Sequence, residues 1–204
     1  NKIKKVKINQ AISHPNWKMG KKISIDSATM MNKIFEIIEA KKIFDISYKK
    51  LSILIHPKSY VHAIIKYKNG ISKMIIHDTN MRIPIFNTLY SSEKSIKSKN
   101  LDIIKLNNLD FQNVDLKRYP IINIKDKLTD HSSLFETILV SINDKLVDLF
   151  LNNKIKFTDI SKKMNSMLDL KEFKKFKMIK VKKIKDIIIL NEKVVDKINI
   201  ILKI

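Results

Sequence analysis

The spacing of hydrophobic and polar positions changes along the chain, and each change marks an element. Residues 22–25 (KISI) alternate and predict a short strand. Asp26 or Ser27 then opens a helix, with Ser27 as an N-cap candidate. In that helix Thr29, Asn32, Lys33, Glu36 and Glu39 recur so that, at about 100° per residue, they fall within an arc of roughly 120°. Met30, Met31, Ile34, Phe35, Ile37 and Ile38 cover the rest of the circumference. A helix this apolar is buried on most sides, so its polar stripe has to face something polar.

Upstream, residues 1–13 read as a lysine-rich strand or arm that enters a short His14-Pro15-Asn16-Trp17 loop. Downstream, residues 51–55 read as a strand closed by a turn at His56-Pro57. Residues 60–67 and 71–77 flank Lys68-Asn69-Gly70, which predicts an antiparallel hairpin with Gly70 where positive φ is wanted. Three strands and one buried helix imply an α/β layer. Pro84 breaks any helix at its own position, and a short helix follows it. Residues 91–100 are rich in serine and lysine and read as exposed. From about residue 125 the period becomes helical: a stretch within 128–152, a helix from Phe157, a charged connector at 169–175 and a final helix within 181–204. The expected fold is therefore an α/β (α+β) portion with a mostly antiparallel sheet over residues 1–90, a linker over 91–124, and a small C-terminal helical bundle over 125–204.

Composition narrows the function classes. The 204 residues are 44% hydrophobic and 30% charged, which supports a core and argues against disorder throughout. No apolar run reaches the length of a membrane span, and the basic start has an apolar run too short for a signal peptide. A chain that begins with Asn1 is expected to be a fragment or a processed product. The absence of cysteine excludes disulfides and thiolate metal sites. Net charge is +21. That fits a polyanionic partner or a phosphorylated small substrate. Lysine, isoleucine and asparagine are overused together along the whole chain, which reads as a compositional bias and not as a patch. Zinc-finger spacing, an aromatic RNA-binding pair and a basic zipper are all missing, so nucleic acid is not the expected partner. Two glycines, Gly20 and Gly70, cannot build a dinucleotide fingerprint or a P-loop.

The polar stripe carries the candidate chemistry. Glu36 and Glu39, one turn apart beside an amide and an ammonium, suit a divalent cation and an anionic ligand. The alternatives are an ordinary i,i+3 pair of Lys33 with Glu36 on a solvated face and a buried structural network.

At these residues the chain resembles the 1-deoxy-D-xylulose 5-phosphate reductoisomerase family. The matching blocks are HPNWKMGKKISIDSATMMNK with Glu36 and Glu39, then LIHPKSYVHAIIKYKNG, then NMRIPI, with fainter matches at RYP (118–120) and INDKLVDLFLNNKIKFTDI. The resemblance implies a central catalytic domain, a linker and a C-terminal helical domain. It also implies that the NADPH domain, an Asp-Ser-Glu segment with two metal ligands and a serine-glycine-glycine substrate segment lie outside this chain, which would then be inactive alone. The implied reaction rearranges 1-deoxy-D-xylulose 5-phosphate and reduces the product with NADPH to 2-C-methyl-D-erythritol 4-phosphate.

Residue by residue, His14 resembles the substrate-contacting loop histidine. Trp17, with Met19, resembles the lid that closes over substrate and keeps water out. Gly20 resembles a backbone contact to NADPH. Ser27, Asn32 and Lys33 resemble the substrate-binding trio, with Ser27 and Asn32 at the phosphate and Lys33 at a substrate oxygen. Glu36 resembles a carboxylate ligand of Mg²⁺ or Mn²⁺ that also meets substrate, with Glu39 close to the same ion. Lys33, Glu36 and His14 are the expected catalytic residues. Ser59 and His62 resemble a pair below the substrate pocket, and His56 reads as structural. A homodimer without membrane or nucleic-acid partners is implied, in the bacterial cytoplasm or, alternatively, a plastid stroma. The chain departs from the family at Thr79-Asn80, Asn100, Ile142-Asn143-Asp144 and the connector after Tyr90. Two competing readings are a non-catalytic truncated remnant and a basic nucleic-acid-binding module.

Overall fold

The structure, a computed structural model, describes residues 3–13, 19–90 and 94–203. These form two compact units, Asn1–Ser52 with Asp115–Ile204, and Ile53–Val114. The first unit is helical. Its N-terminal part holds a 3₁₀ turn at Ile3–Lys5, then α1 (Ile8–Ala11), α2 (Lys21–Thr29), α3 (Met31–Phe44) and a 3₁₀ turn at Tyr48–Lys50. Its C-terminal part holds a 3₁₀ stretch, Pro120–Lys127, followed by α6 (Phe135–Leu151), α7 (Phe157–Leu168), α8 (Lys171–Lys174) and α9 (Ile184–Leu202). The numbers α4 and α5 belong to the second unit.

α6 is the spine of the helical unit. Phe135, Ile138, Leu139, Ile142, Leu146, Val147, Leu149 and Phe150 are all buried, so apolar contact surrounds it on most sides. α9 lays the seam Leu190, Val194, Ile198 against it, each residue one turn beyond the last. α7 contributes Ile160, Met164, Met167 and Leu168, the one-sided stripe of an amphipathic helix. α2 packs on α6, and α3 lies against α2 and the 3₁₀ stretch, burying Met31, Ile34 and Ile38 with Ile121 and Ile124 in the same core.

The expected strand at 22–25 is helix, and the expected helix start at Asp26 or Ser27 is the interior of α2. Alternation of lysine, isoleucine and serine mimicked a strand. The buried positions Ser24, Ile25, Asp26 and Thr29 are instead helical neighbours, held by packing on α6. α2 starts at Gly20, whose carbonyl accepts both the backbone N–H (3.1 Å) and the hydroxyl (3.0 Å) of Ser24. α2 and α3 are two helices and not one, because Met30 adopts the left-handed conformation between them (φ 66°, ψ 17°). Thr29 bridges this corner. Its hydroxyl donates to the carbonyl of Ile25 at 3.0 Å and accepts the N–H of Met31 at 3.4 Å. The expected arm at 1–13 contains short helical turns among its described residues.

The second unit is α+β: β1 (Leu54–Ile55), β2 (Val61–Lys66), β3 (Ser72–Ile76), α4 (Arg82–Leu89), α5 (Ile103–Asn107) and β4 (Gln112–Asn113). β2 and β3 form the expected antiparallel hairpin, with Ala63 opposite Ile75 and Lys66 opposite Ser72. Gly70 turns it at φ 89°, a conformation that a side chain would strain. β1 does not join that hairpin. It pairs with β4, Leu54 opposite Asn113, so the strands make two two-stranded antiparallel sheets in place of one layer. Pro84 lies inside α4, where the first turn needs no N–H donor, so it starts this helix and does not break it. The compact units thus run across the expected divisions at residues 90 and 124.

Candidate functional site

The helix corner brings three predicted side chains together. Nζ of Lys33 lies 2.9 Å from both oxygens of Glu36, and Nδ2 of Asn32 donates to Glu36 Oε1 at 3.3 Å. The i,i+3 pair therefore forms, and it is solvent-facing: the Lys33 and Glu36 side chains are 40% and 53% exposed. Glu39 follows one turn on and is exposed as well. Ser27, half-buried, lies on α2 just before the corner, and its carbonyl accepts the N–H of Met30 at 3.1 Å. Among the described residues, no heavy atom lies within 4 Å of where a Cβ on Gly20 would sit. Ser59 lies in the other unit, in the left-handed region (φ 51°), with its N–H on the carbonyl of His56 at 3.0 Å. His14 and Trp17 lie outside the described residues.

The histidines of the second unit serve its backbone. His62 stacks on His77 with ring centroids 3.5 Å apart and reaches the His77 carbonyl through Nε2 at 3.1 Å. His56 places Nδ1 2.8 Å from the carbonyl of Asp110 and stacks on Phe111. Among the described residues, no group of three or more His, Asp or Glu side chains is disposed to hold a metal ion. Glu36 still fits a hard cation in part: its oxygens are accessible, and its partners are one amide and one ammonium that a cation or substrate could displace.

Sequence reasoning missed the buried polar group next to Ser27. Asp26 is 2% exposed and Asn143 wholly buried, and Asn143 Nδ2 donates to Asp26 Oδ1 at 2.8 Å. Lys22 reaches Asp26 Oδ2 at 2.7 Å and Asp144 at 2.9 Å. Burial alone would pull the Lys22 ammonium down, but its bonds to Asp26 and Asp144 outweigh that and hold it above the usual lysine value. The only local signal was a carboxylate inside the run KISIDSAT, and that reads equally well as a helix cap. A second network closes the far end of α3. Tyr48 donates its N–H to Asp130 at 2.8 Å and its hydroxyl to Glu136 at 3.2 Å. Burial and the neighbouring Glu136 carboxylate push the Tyr48 phenol up. A cavity of about 780 Å³ lies elsewhere, lined by Lys5, Lys7, Phe150, Lys154 and Lys156 among others, and by none of the predicted site residues.

Together these features define an α+β protein, mostly helical, with an amide–ammonium–carboxylate cluster at one helix corner. The profile of the DXP reductoisomerase C-terminal domain matches residues 77–196, and that of the 1-deoxy-D-xylulose 5-phosphate reductoisomerase C-terminal domain matches residues 1–44. The chain belongs to the 1-deoxy-D-xylulose 5-phosphate reductoisomerase family. It is 60% identical over 173 residues to the 1-deoxy-D-xylulose 5-phosphate reductoisomerase of Pelagibacter ubique, covering 84% of this chain and 45% of that protein. Its fold superposes on a crystal structure of DOX-P reductoisomerase in complex with NADPH, fosmidomycin and magnesium, with a TM-score of 0.87 at 31% identity, over 99% of this chain and 51% of that one. The enzyme of Zymomonas mobilis in complex with NADPH gives a TM-score of 0.83 at 30% identity, over 98% and 51%. The chain thus spans about half the length of the relatives it matches.

Proposed function

We propose that this chain supplies the phosphate- and metal-facing helices and the C-terminal helical domain of an enzyme that isomerises and reduces 1-deoxy-D-xylulose 5-phosphate to 2-C-methyl-D-erythritol 4-phosphate. The observation that carries the reading is the convergence of Asn32, Lys33 and Glu36 at the α2–α3 corner, in a chain of this family. Ser27 and Asn32 would donate to the phosphate. Lys33 would turn from Glu36 to a substrate oxygen and stabilise charge there in a site closed to water. Holding the phosphate remote from the reacting carbons would orient the reacting end. Glu36, with Glu39 beside it, would hold a Mg²⁺ or Mn²⁺ ion whose chemistry is to polarise substrate oxygens. NADPH would supply the hydride, with Gly20 near it. His14 and Trp17 would act from the loop over the substrate. The complexes formed by the structural relatives support both cofactors. A location in the bacterial cytoplasm accords with the relatives' bacterial sources, and a homodimer is the assembly that the family resemblance implies. Among the described residues, no helix is long and apolar enough to cross a membrane. The 204-residue chain alone, about half the length of its relatives, is expected not to consume NADPH with the sugar phosphate.

The test is Glu36→Gln in the full-length enzyme, with activity titrated against Mg²⁺ and circular dichroism as the fold control. A higher metal requirement with an intact fold is the expected result. Normal activity at an unchanged metal requirement rules Glu36 out as a ligand.

A further inference from the structure

The core of the helical unit contains polar side chains at one place that bears on the site, beside Ser27. There the Asp26 carboxylate is held from two sides, by Asn143 of α6 at 2.8 Å and by Lys22 of its own helix at 2.7 Å. Lys22 continues to Asp144 of α6 at 2.9 Å and lies 5.1 Å from the ring centroid of Phe35 on α3. One ammonium thus touches three helices. Asn143 is wholly buried, and among the described residues its Oδ1 meets no hydrogen-bond donor. Rotating the amide would only turn that oxygen toward the Asp26 carboxylate, so Asp26 fixes its orientation. A buried amide with an orphaned acceptor, beside a buried carboxylate, is a poor device for stability. Two leucines would remove both liabilities. The arrangement does confer direction. Hydrogen bonds have angular demands that apolar contacts lack, so one rotation of α2 about its axis satisfies them. Ser27 is the next residue on α2, and the Met30 corner, bridged by the Thr29 hydroxyl, joins α2 to the helix that carries Asn32 and Lys33.

We propose that Asp26, Asn143 and Lys22 form a positioning lock that sets the rotation of α2 on α6 and thereby aims Ser27 at the substrate phosphate. The inference rests on the assignment of Ser27 proposed above. The lock residues touch no substrate and act through Ser27.

The decisive variant is Asp26→Leu with Asn143→Leu in the full-length enzyme. A purely structural role predicts that KM and melting temperature move together. The lock predicts an unchanged or higher melting temperature, a KM for the sugar phosphate raised about tenfold or more, kcat changed less than about threefold, and unaltered NADPH affinity. The exchanged pair, Asp26→Asn with Asn143→Asp, rebuilds the bond with its roles reversed. It should bring KM back to within about threefold of wild type, while each single exchange stays impaired. A wild-type KM in the leucine pair overturns the lock; if that pair does not fold, an exchanged pair no better than its single components overturns it. If the wild-type enzyme fails to turn over the sugar phosphate, the proposed function falls by itself. The lock is then decided on the 204-residue chain by backbone amide chemical shifts. Shifts at residues 27–33 that move in the leucine pair and return in the exchanged pair support it, and shifts that stay in place overturn it.

Discussion

The two compact units solve the burial problem in opposite ways. The helical unit buries side chains from nearly every element it owns, with Ile25, Met31, Ile34, Ile138, Leu146, Met164 and Ile198 essentially closed to solvent. In the unit Ile53–Val114, Tyr60 is the only buried hydrophobic residue among those described. Its hairpin exposes Ile64 and Ile65 at 40% each, Met74 at 45% and Ile75 at 43%. Neighbouring strand residues point to opposite faces, so both faces of the sheet are open. A two-stranded ribbon of this kind is marginal by its own packing, whereas α6, packed by α2, α7, α8 and α9, is not. The predicted site follows the same division. Ser27, Asn32, Lys33, Glu36 and Glu39 stand on the packed unit, which can hold them in fixed geometry, and Ser59 stands on the open one.

The largest effect that sharpens this contrast is Phe135→Ala on α6, a site 1% exposed. It should lower the stability of the helical unit by about 3–5 kcal/mol, measured by urea denaturation followed by far-UV circular dichroism. A loss under about 1 kcal/mol would mean that α6 is not the spine. Next comes Lys33→Met in the full-length enzyme, which separates function from fold on the rim of the same unit. The pair with Glu36 is worth only about 0.2–0.5 kcal/mol as a surface i,i+3 contact, so the melting temperature should barely move. A role at substrate oxygens predicts that kcat/KM falls at least about 100-fold, roughly 2.7 kcal/mol, with NADPH affinity intact. A melting point several degrees lower with near-normal kcat/KM would assign Lys33 to structure. Third is Ile75→Ala in the hairpin. With its side chain already half in water, truncation should cost about 1 kcal/mol or less. A loss as large as that of Phe135→Ala would show that the hairpin is covered in solution and would erase the contrast between the units.

What the sequence made legible follows from how local each signal was. The hairpin was readable because Gly70 and the flanking alternation specify it within seventeen residues, 60–76, without help from elsewhere. The helix from Phe157 was readable because Ile160, Met164, Met167 and Leu168 repeat its period. α2 was misread as a strand because its polar face is buried: Asp26 finds Asn143 117 residues away, and no local pattern encodes that. The α2–α3 break was invisible for a related reason. Met30 is a good helix former by propensity, and only the fold places it in the left-handed region. Pro84 was read as a breaker although it falls in the first turn of α4, whose opening N–H at Arg82 is taken up by the Asn80 side chain at 3.1 Å, a start signal the sequence reading did not use. The candidate site residues rest on motif and spacing, and in the structure Asn32 and Lys33 contact Glu36, as i,i+4 and i,i+3 pairs on one helix face also would. The supporting carboxylate was legible only as an aspartate that could equally have been a cap.

The smallest expected effect concerns acid, and it distinguishes the units by the reach of their carboxylates. In the helical unit Asp130 accepts the N–H of Tyr48 at 2.8 Å and the hydroxyl of Ser47 at 2.7 Å, which hold its carboxyl below the usual value. Lys127 at 2.6 Å and Lys174 at 3.1 Å do the same for Asp169. Both bridge segments tens of residues apart. In the other unit Asp102 is also lowered, first by the N–H of Lys105 at 3.0 Å, a contact within the first turn of α5. The folded-state value of each carboxyl is depressed, so its contribution is fully present above the unfolded value of about 3.9 and is lost as pH falls through the folded value. Acid should therefore loosen the 47–48 segment and the 127–174 contact in the helical unit, but only fray one helix turn in the other. All three carboxylates are largely exposed, so solvent screens them and the effects are modest. Melting temperature against pH, on the wild type, Asp130→Asn and Asp102→Asn, checks the contrast. Asp130→Asn should lower the melting temperature slightly near neutrality and flatten the acid limb, because the group whose protonation is being read has been removed. Asp102→Asn should leave that limb in place, and faster amide exchange should stay confined to residues 103–107. An acid limb that is equally steep with and without Asp130 would mean that its bonds to Ser47 and Tyr48 do not stabilise the helical unit.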